Sequence, residues 1–478
     1  MGESETGINS SGRDDRKSQR NNKRCHEEAS RAEERMRRPM NRLSTNILLL
    51  LLFFVSLTIQ VCSSNIAGEA PNGLREISND LLIENVCSEV HKTLPIFDLK
   101  DLEVDGNKLF IPNGGVTLDD RVQVKSSLEI VGRNQPIYII DGGGFDVDLE
   151  AGKAFKIQST TICVTDNEFD TDDSRDVFEL QGSGIEIDFS NNRFNAVKTN
   201  NAHTDQADYR DNAYSAPSEW IISVKSCNEC SIKIIDNIAH NFARYKFGFF
   251  QSQQLPKSSV VQIIENKIEG FHGVYYVNGT EKSVVRNNEL RRNSFGNIVA
   301  SNSSKLKITN NKVIFPGNGT SGDGLTVSGG VDIEILDNEV IAGSCYGIWL
   351  ISTSKSPLSE IIVKNNIITD GITSGIYISS LDSSIARNIL IDGNVLTRNK
   401  AFGLYASNVD DLAVVNNLFL HNARRDAPPQ HLLANSVSVK IWQNNLIASE
   451  YSATDYGSEK FEHLKSLEGL PYSVYSNE

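Results

Sequence analysis

Basic charge, methionine and cysteine are all in short supply in this 478-residue chain. Lys and Arg number 47 against 61 Asp and Glu, for a net charge of −14. The deficit is sharper in the body. Residues 1–46 carry eleven basic and eight acidic groups, so the rest of the chain carries −17. A body that acidic excludes nucleic-acid binding through its global field, and an anionic polymer would need a local basic patch. Three methionines beside abundant Asn, Ser, Gly and Ile speak against a helical protein. Five cysteines fall in the body: Cys87, Cys163, Cys227, Cys230 and Cys345. An odd number does not make a disulfide framework. Cys227-Asn-Glu-Cys230 has the spacing of a local disulfide formed after export. With no second cysteine pair or clustered His it is a poor zinc site. Cys163 and Cys345 read as small core residues.

Long apolar runs are also scarce. The one present, "NILLLLLFFVSLTIQV" (46–61), has an apolar stretch of about 15 residues, short of the about 20 that a membrane span needs. Arg37, Arg38 and Arg42 precede it and small residues follow, the pattern of a secretory signal peptide. Cleavage is expected near 62–67, with an uncleaved signal anchor as the alternative. A start at Met40 would give a signal of ordinary length. Bulky Val61 speaks against lipid attachment at Cys62. The segment before the run is polar and of mixed charge, and reads as disorder or as an upstream extension of the frame. N-x-S/T sequons stand at Asn278, Asn302 and Asn318, glycan sites only in a eukaryotic secretory pathway.

What the chain has in plenty is a repeat. Short motifs of the form acid or amide, Asn, any residue, apolar ("DNEF", "NNRF", "DNEV", "NNLF") place Asn at 167, 192, 237, 266, 288, 311, 338, 366, 394, 417 and 445. The spacings lie between 22 and 29 except for one of 45. That period means a solenoid. Upstream of seven of these Asn a Gly opens an alternating run: "FGFFQ", "HGVYY", "FGNIV", "DGLTV", "YGIWL", "SGIYI", "FGLYA". Alternation is the period of a strand with one buried face. Each unit therefore holds two or three short strands, and stacked units form parallel sheets rising about 4.8 Å per unit. The Asn is expected at a tight turn in left-handed or bridge geometry, its amide bonding the Asn of the coils above and below. The Gly marks a second turn or a close approach that leaves no room for a Cβ.

These features resemble right-handed parallel β-helix proteins of the pectate-lyase-like superfamily, over about residues 105–450. "IYIIDGGG" (137–144) is similar to an opening coil of that fold. "ISNDLLIENVCSEVHKTL" (77–94) would be an amphipathic helix capping its N-terminal end. The implied class is all-β, a right-handed parallel β-helix of about 11–14 coils with a short N-terminal capping helix. The expected layout is a polar extension (1–45), the signal segment (46–64), an N-terminal cap (65–104), the β-helix (105–450) and a C-terminal cap or tail (451–478).

Candidate chemistry falls in four places. The spacing of 45 leaves an excursion between Asn192 and Asn237 that holds His203, Asp205 and Tyr209. Loops leaving a rigid solenoid are where function collects. The next coils bring Arg244 and Lys246, then His272. The residue before each landmark Gly forms a column in which His272 and Asp323 would stand two coils apart. The residue two after each Gly is expected on the solvent face: Phe250, Tyr275, Ile298, Thr326, Trp349, Tyr377 and Tyr405. Aromatics there would offer flat faces to sugar rings, with Tyr275, Asp323, Trp349, Tyr377 and Tyr405 as the substrate-binding set. Last, Asp170, Asp172 and Asp173 crowd one turn, an oxygen-rich arrangement that suits Ca²⁺ and equally a solvated acidic turn.

The resemblance implies a secreted, extracellular, periplasmic or cell-surface protein acting on a polysaccharide. The expected reaction is β-elimination or C5 epimerisation of a uronate. Both need carboxylate neutralisation, by Arg244 or Ca²⁺; a base, Lys246, His272 or His203; and an acid, Tyr209 or Tyr275. The chain has no Asp-Pro-His-Asp, Asn-Thr-Asp or Trp-Ile-Asp-His stretch of the familiar epimerases, polygalacturonases and lyases. A hydrolase with paired carboxylates such as Asp205 with Asp323, and a non-catalytic glycan-binding or adhesin-type solenoid, stay open. No certain cofactor, no nucleic acid and a monomer are expected, with membrane contact only through an uncleaved signal.

Overall fold

The computed structural model describes strands between Ile96 and Ala448, with side chains for most positions between Lys156 and Asn445. Residues 1–95, 198–218, 242–246 and 449–478 lie outside the described part, together with some shorter turns. The expected capping helix at 77–94 and the C-terminal tail fall there.

Among the described residues every element is a strand. One coil shows the plan. Tyr346–Ser352 belongs to a first sheet and Leu358–Lys364 to a second; the chain then turns through Asn366 into Ile367–Thr369 of a third. Each strand pairs in parallel with its counterpart one coil on: Tyr346 with Ser374, Ile361 with Ile389, Ile367 with Val395. The third sheet counts 13 strands, one per coil. The first and second share 24, because strands such as Gly296–Thr309 run around the corner between them. Among the described residues the one antiparallel pair is Glu103–Asp105 with Lys108–Phe110. The molecule is a right-handed parallel β-helix.

The recurring Asn forms the expected ladder. At each of ten steps, the backbone N–H and the side-chain Nδ2 of one Asn both donate to the Oδ1 of the next, at 2.8–3.2 Å. Asn338 also donates to the carbonyls of Ile308 and Leu336. Its buried amide is thus fully used.

The left-handed geometry sits one residue earlier than expected. It is held by the residue preceding each ladder Asn: Asp166, Asn191, Asp236, Glu265, Asn287, Asn310, Asp337, Asn365, Gly393 and Asn416 have φ between 52° and 66°. Asp and Asn tolerate that region best among residues with a Cβ, which explains the acid or amide in the motif. The landmark Gly answers to close packing. A Cβ on Gly347 would stand 2.2 Å from Cγ2 of core Ile368.

The interior is aromatic in the early coils and aliphatic later. Phe169, Phe178, Phe189, Phe194, Phe249 and Phe271 pack edge or face within about 6 Å of one another, and Ile, Leu and Val fill the coils beyond. Cys227 and Cys230 form the expected disulfide, and Cys345 is buried and outside any disulfide. Cys163 differs from expectation. It is disulfide-bonded as well as buried.

Removing one rung tests the ladder. Asn338→Ala would strip the Asn311 backbone N–H of its acceptor, take one of two acceptors from the Asn311 amide and remove the side-chain bond to the Ile308 carbonyl, while the residue-338 backbone N–H still donates to Asn366 Oδ1. Each buried polar group left unpaired costs about 1–3 kcal/mol. The variant is expected to lose on the order of 3 kcal/mol in chemical denaturation, while an exposed Asn such as Asn310 replaced by Gly should be near neutral.

Candidate functional site

The excursion 198–218 leaves after the third-sheet strand Arg193–Val197 and returns into the first-sheet strand Glu219–Asn228. One coil on, residues 242–246 join Ile238–Asn241 to Phe247–Ser252 across the same corner. A further coil on, His272 stands immediately before Gly273–Asn278. The strand ends that flank these segments lie at one corner of three successive coils, about 4.8 Å apart. His203, Asp205, Tyr209, Arg244 and Lys246 themselves lie outside the described residues. His272 is described and is 4% exposed, so it does not face solvent as a ready base.

The columns on the first sheet shift by one residue from the expected alignment. Gly273 pairs with Gly296, but Gly296 pairs with Asp323 and not with Gly324. His272 and Asp323 are consequently not in one column. Tyr275, Phe250 and Ile298 point inward, each 1% exposed or less. Tyr275 donates its hydroxyl to Asn288 Oδ1 at 3.2 Å, inside the helix. A one-residue slip moves every side chain to the opposite face, and the outward column runs Gln251, Tyr276, Val299, Thr326, Trp349, Tyr377, Tyr405. Tyr276 was missed in the sequence because the column was counted from the Gly.

Trp349, Tyr377 and Tyr405 are outward, joined by Tyr346. Their geometry differs from a row of open platforms. Tyr377 is stacked between Tyr346, centroids 4.4 Å apart, and Tyr405, at 4.5 Å and 6° between planes. Both its faces are covered by neighbours. Trp349 is tilted against Tyr346 and donates Nε1–H to Ser379 Oγ at 3.1 Å. Much of the stripe is thus a ladder of its own, and the run of stacked Tyr rings begins at Tyr346.

Asp323 stands in the coil before Tyr346, whose backbone N–H donates to its Oδ1 at 3.3 Å. The residue is part-exposed, but its carboxyl is hemmed in by protein. Desolvation pushes its pKa up to about 7, against the weaker pull of bonds from the Tyr346 backbone and the Thr326 side chain. It is an acid poised to exchange a proton near neutrality. The first-sheet strands Gly273–Asn278, Asp323–Leu336 (over 323–328), Tyr346–Ser352 and Ser374–Ser380 contain no Lys, Arg or His.

Asp170 faces out on the third sheet, and Asn195 Nδ2 donates both to it (2.9 Å) and to Glu168 (3.0 Å). The Asp172 side chain and Asp173 lie outside the described part. Among the described residues no three of His, Cys, Asp and Glu gather closely enough to hold a metal ion.

Comparison with known proteins agrees with the fold. The family model for the right handed beta helix region matches residues 218–359, and that of the periplasmic copper-binding protein NosD matches 323–468. No curated protein matches by sequence. Among solved structures the chain is similar to the periplasmic alginate epimerase AlgG (15% identity, TM-score 0.39, covering 74% of this chain and 83% of that one). It is also similar to the A-module of the Azotobacter vinelandii mannuronan C-5 epimerase AlgE4 (12%, 0.37, 75% and 99%). A third is a mannuronic acid specific family 6 lyase from human gut microbiota (12%, 0.34, 73% and 90%). The likeness is too slight to argue function from. The architecture is a right-handed parallel β-helix.

Asp323 makes stability depend on pH. Its folded pKa lies above the unfolded value of 3.8, so between about pH 4 and pH 7 the folded chain keeps a proton that the unfolded chain has lost. Stability therefore falls as pH rises through that window and stays lowered above it. Asp323→Asn should remove that slope and unfold at higher denaturant than the parent at pH 8, with the gap closing by pH 4. Equal gaps at both values would rule out the raised pKa.

Proposed function

We propose that this is an extracytoplasmic carbohydrate-active β-helix protein. Its substrate is a uronate-containing polysaccharide laid along the outer face of the first sheet, and its reaction is β-elimination or C5 epimerisation. The observation that carries the reading is Asp323. A carboxyl with a pKa near 7 stands beside Tyr346, at the start of the aromatic ladder. Removing the proton at C5 of a uronate needs a group that exchanges protons near neutral pH, and Asp323 supplies one. The substrate carboxylate must also be neutralised. No cation stands on the described first-sheet strands around Asp323, so that role would fall to Arg244 or to Ca²⁺. With Asp323 as the proton-exchanging group, Lys246 or His203 is the alternative base and Tyr209 the acid of this reading; buried His272 and Tyr275 do not enter it. Two disulfides and a signal-like N-terminus support export to an oxidising compartment.

A second reading is a glycan-binding solenoid without catalysis. It is favoured by the same absence of cations and by the row of Tyr residues, which suits hydrogen bonding to neutral sugars.

The test is to incubate the secreted protein with a panel of uronate polymers, with Ca²⁺ or chelator, in D₂O. Ultraviolet absorbance reports an unsaturated uronate, and deuterium at C5 reports epimerisation. Asp323→Asn should lower kcat/KM on the order of 10²- to 10⁴-fold. Retardation in polysaccharide gels without any turnover, lost in Tyr346→Ala, would establish the binding module instead. Neither turnover nor retardation on any polymer sinks both readings.

A further inference from the structure

The corner between the first and second sheets carries a column of charges that changes sign. Pairing aligns Glu281, Ser304, Val331, Ser359 and Arg387 in successive coils. The residues that follow them, Lys282, Lys305, Asp332, Glu360 and Asn388, therefore form the next column. All five hold left-handed backbone, with φ between 51° and 62°. That geometry favours Asn, Asp and Gly, and the turns before the ladder Asn use mostly those. Two Lys and a Glu are costlier occupants. Core packing does not ask for them, since Lys282, Lys305 and Glu360 are exposed.

From Lys282 to Glu360 the signs run plus, plus, minus, minus over about 14 Å. Lys305 has an ion pair within its own chain, with Glu281 at 2.9 Å. Lys282, Asp332 and Glu360 have none among the described residues. Burial and the charges of Glu360 and Glu334 raise the Asp332 pKa, with Lys305 pulling the other way. The acidic half of the column is thus short of cations. The same corner exposes apolar surface. Of the four large hydrophobics exposed among the described residues, Val331, Leu381 and Ile385 lie here. Val331 precedes Asp332. Leu381 and Ile385 stand in the turn between Ser374–Ser380 and Ala386–Asp392, two coils on.

A polyanion drawn to the two Lys would be repelled by the acids one coil further. A second copy of this chain fits the whole column. Let it lie antiparallel, related by a two-fold axis that crosses the column between Lys305 and Asp332. Lys305 then faces the partner's Asp332 and Lys282 faces the partner's Glu360, each pair occurring twice. In the neighbouring column Glu281 faces the partner's Ser359 and Ser304 the partner's Val331, so no like charges meet. A parallel copy sharing the column would set Lys on Lys and Asp on Asp. We propose that this corner is the interface of an antiparallel homodimer, matched by charge about that axis, with Val331, Leu381 and Ile385 as its apolar part. Apolar contact holds the copies together and the charges fix their direction and register. The dimer departs from the monomer expected from the sequence.

Sedimentation equilibrium of the full secreted chain, over a range of concentrations, tests it with two charge-reversed chains. One carries Lys282→Glu and Lys305→Glu, the other Asp332→Lys and Glu360→Lys. Both leave the core untouched, and denaturation midpoints matching the parent's check the folds. The parent is expected as a dimer. Each reversed chain has one sign along the whole column and should dimerise on the order of 100-fold more weakly. An equimolar mixture of the two should return to dimers holding one copy of each. A third variant, Val331→Lys, alters one exposed side chain and should weaken the dimer as well. A monomeric parent, or variants as dimeric as the parent, overturns the proposal. Reversed chains that stay monomeric when mixed overturn the antiparallel pairing.

Discussion

The amide ladder is the constraint on which the rest of this molecule depends. A coil of this solenoid touches only its two neighbours, so nothing distant enforces its register. Asn supplies that enforcement locally. Its Oδ1 accepts two bonds from the coil before, and its nitrogens donate to the coil after and to nearby carbonyls. A coil displaced by one residue would leave all of these unpaired in the interior. The acid or amide ahead of each Asn serves the same end, because the turn requires a left-handed residue just there. Coils between 22 and 45 residues long can then share one stack.

Once register is held, every position becomes a column, and columns favour like beside like. The outer stripe of Tyr346, Tyr377 and Tyr405 follows the logic of the Asn ladder: rings 4.4–4.5 Å apart satisfy each other. Such a ladder stabilises the sheet but hides the ring faces that a sugar would need. Particular chemistry belongs where a column breaks. Asp323 is such a break. Three glycines, Gly248, Gly273 and Gly296, precede it in its column and Tyr346 follows, so a lone carboxyl meets the open start of an aromatic stack.

The architecture was legible in the sequence because it is repetitive: Asn and Gly recur at a period no globular fold shares, and the alternating runs named the strands. The columns were legible only to within one residue. Counting outward positions from each Gly assumes that the glycines stack, and they stop stacking at Gly296, which pairs with Asp323. That single slip placed Tyr275 on the surface and overlooked Tyr276. Cys163 was misread for a different reason. A small residue in an apolar strand looks like core, and only the three-dimensional alternation with Ile162 and Val164 shows that it points away from it. The stacking of the Tyr rings on each other is likewise a property of adjacent coils, invisible along one strand.

Electrostatics joins the fold to the proposed reaction. The body is strongly acidic, and a uronate polymer approaching it is repelled until something positive intervenes. The described first-sheet strands around Asp323 offer no such charge, and Asp323 itself would add to the repulsion if ionised. Its desolvated carboxyl stays protonated below about pH 7, which removes that one repulsion when the polymer binds. In the proposed reaction neutralisation would then fall to Arg244 or to a divalent cation brought in with the substrate. A protein working this way would bind uronates weakly by field and strongly only where polymer, cation and Asp323 meet. That concentrates recognition at the reacting sugar and leaves the rest of the chain free to slide along the Tyr ladder.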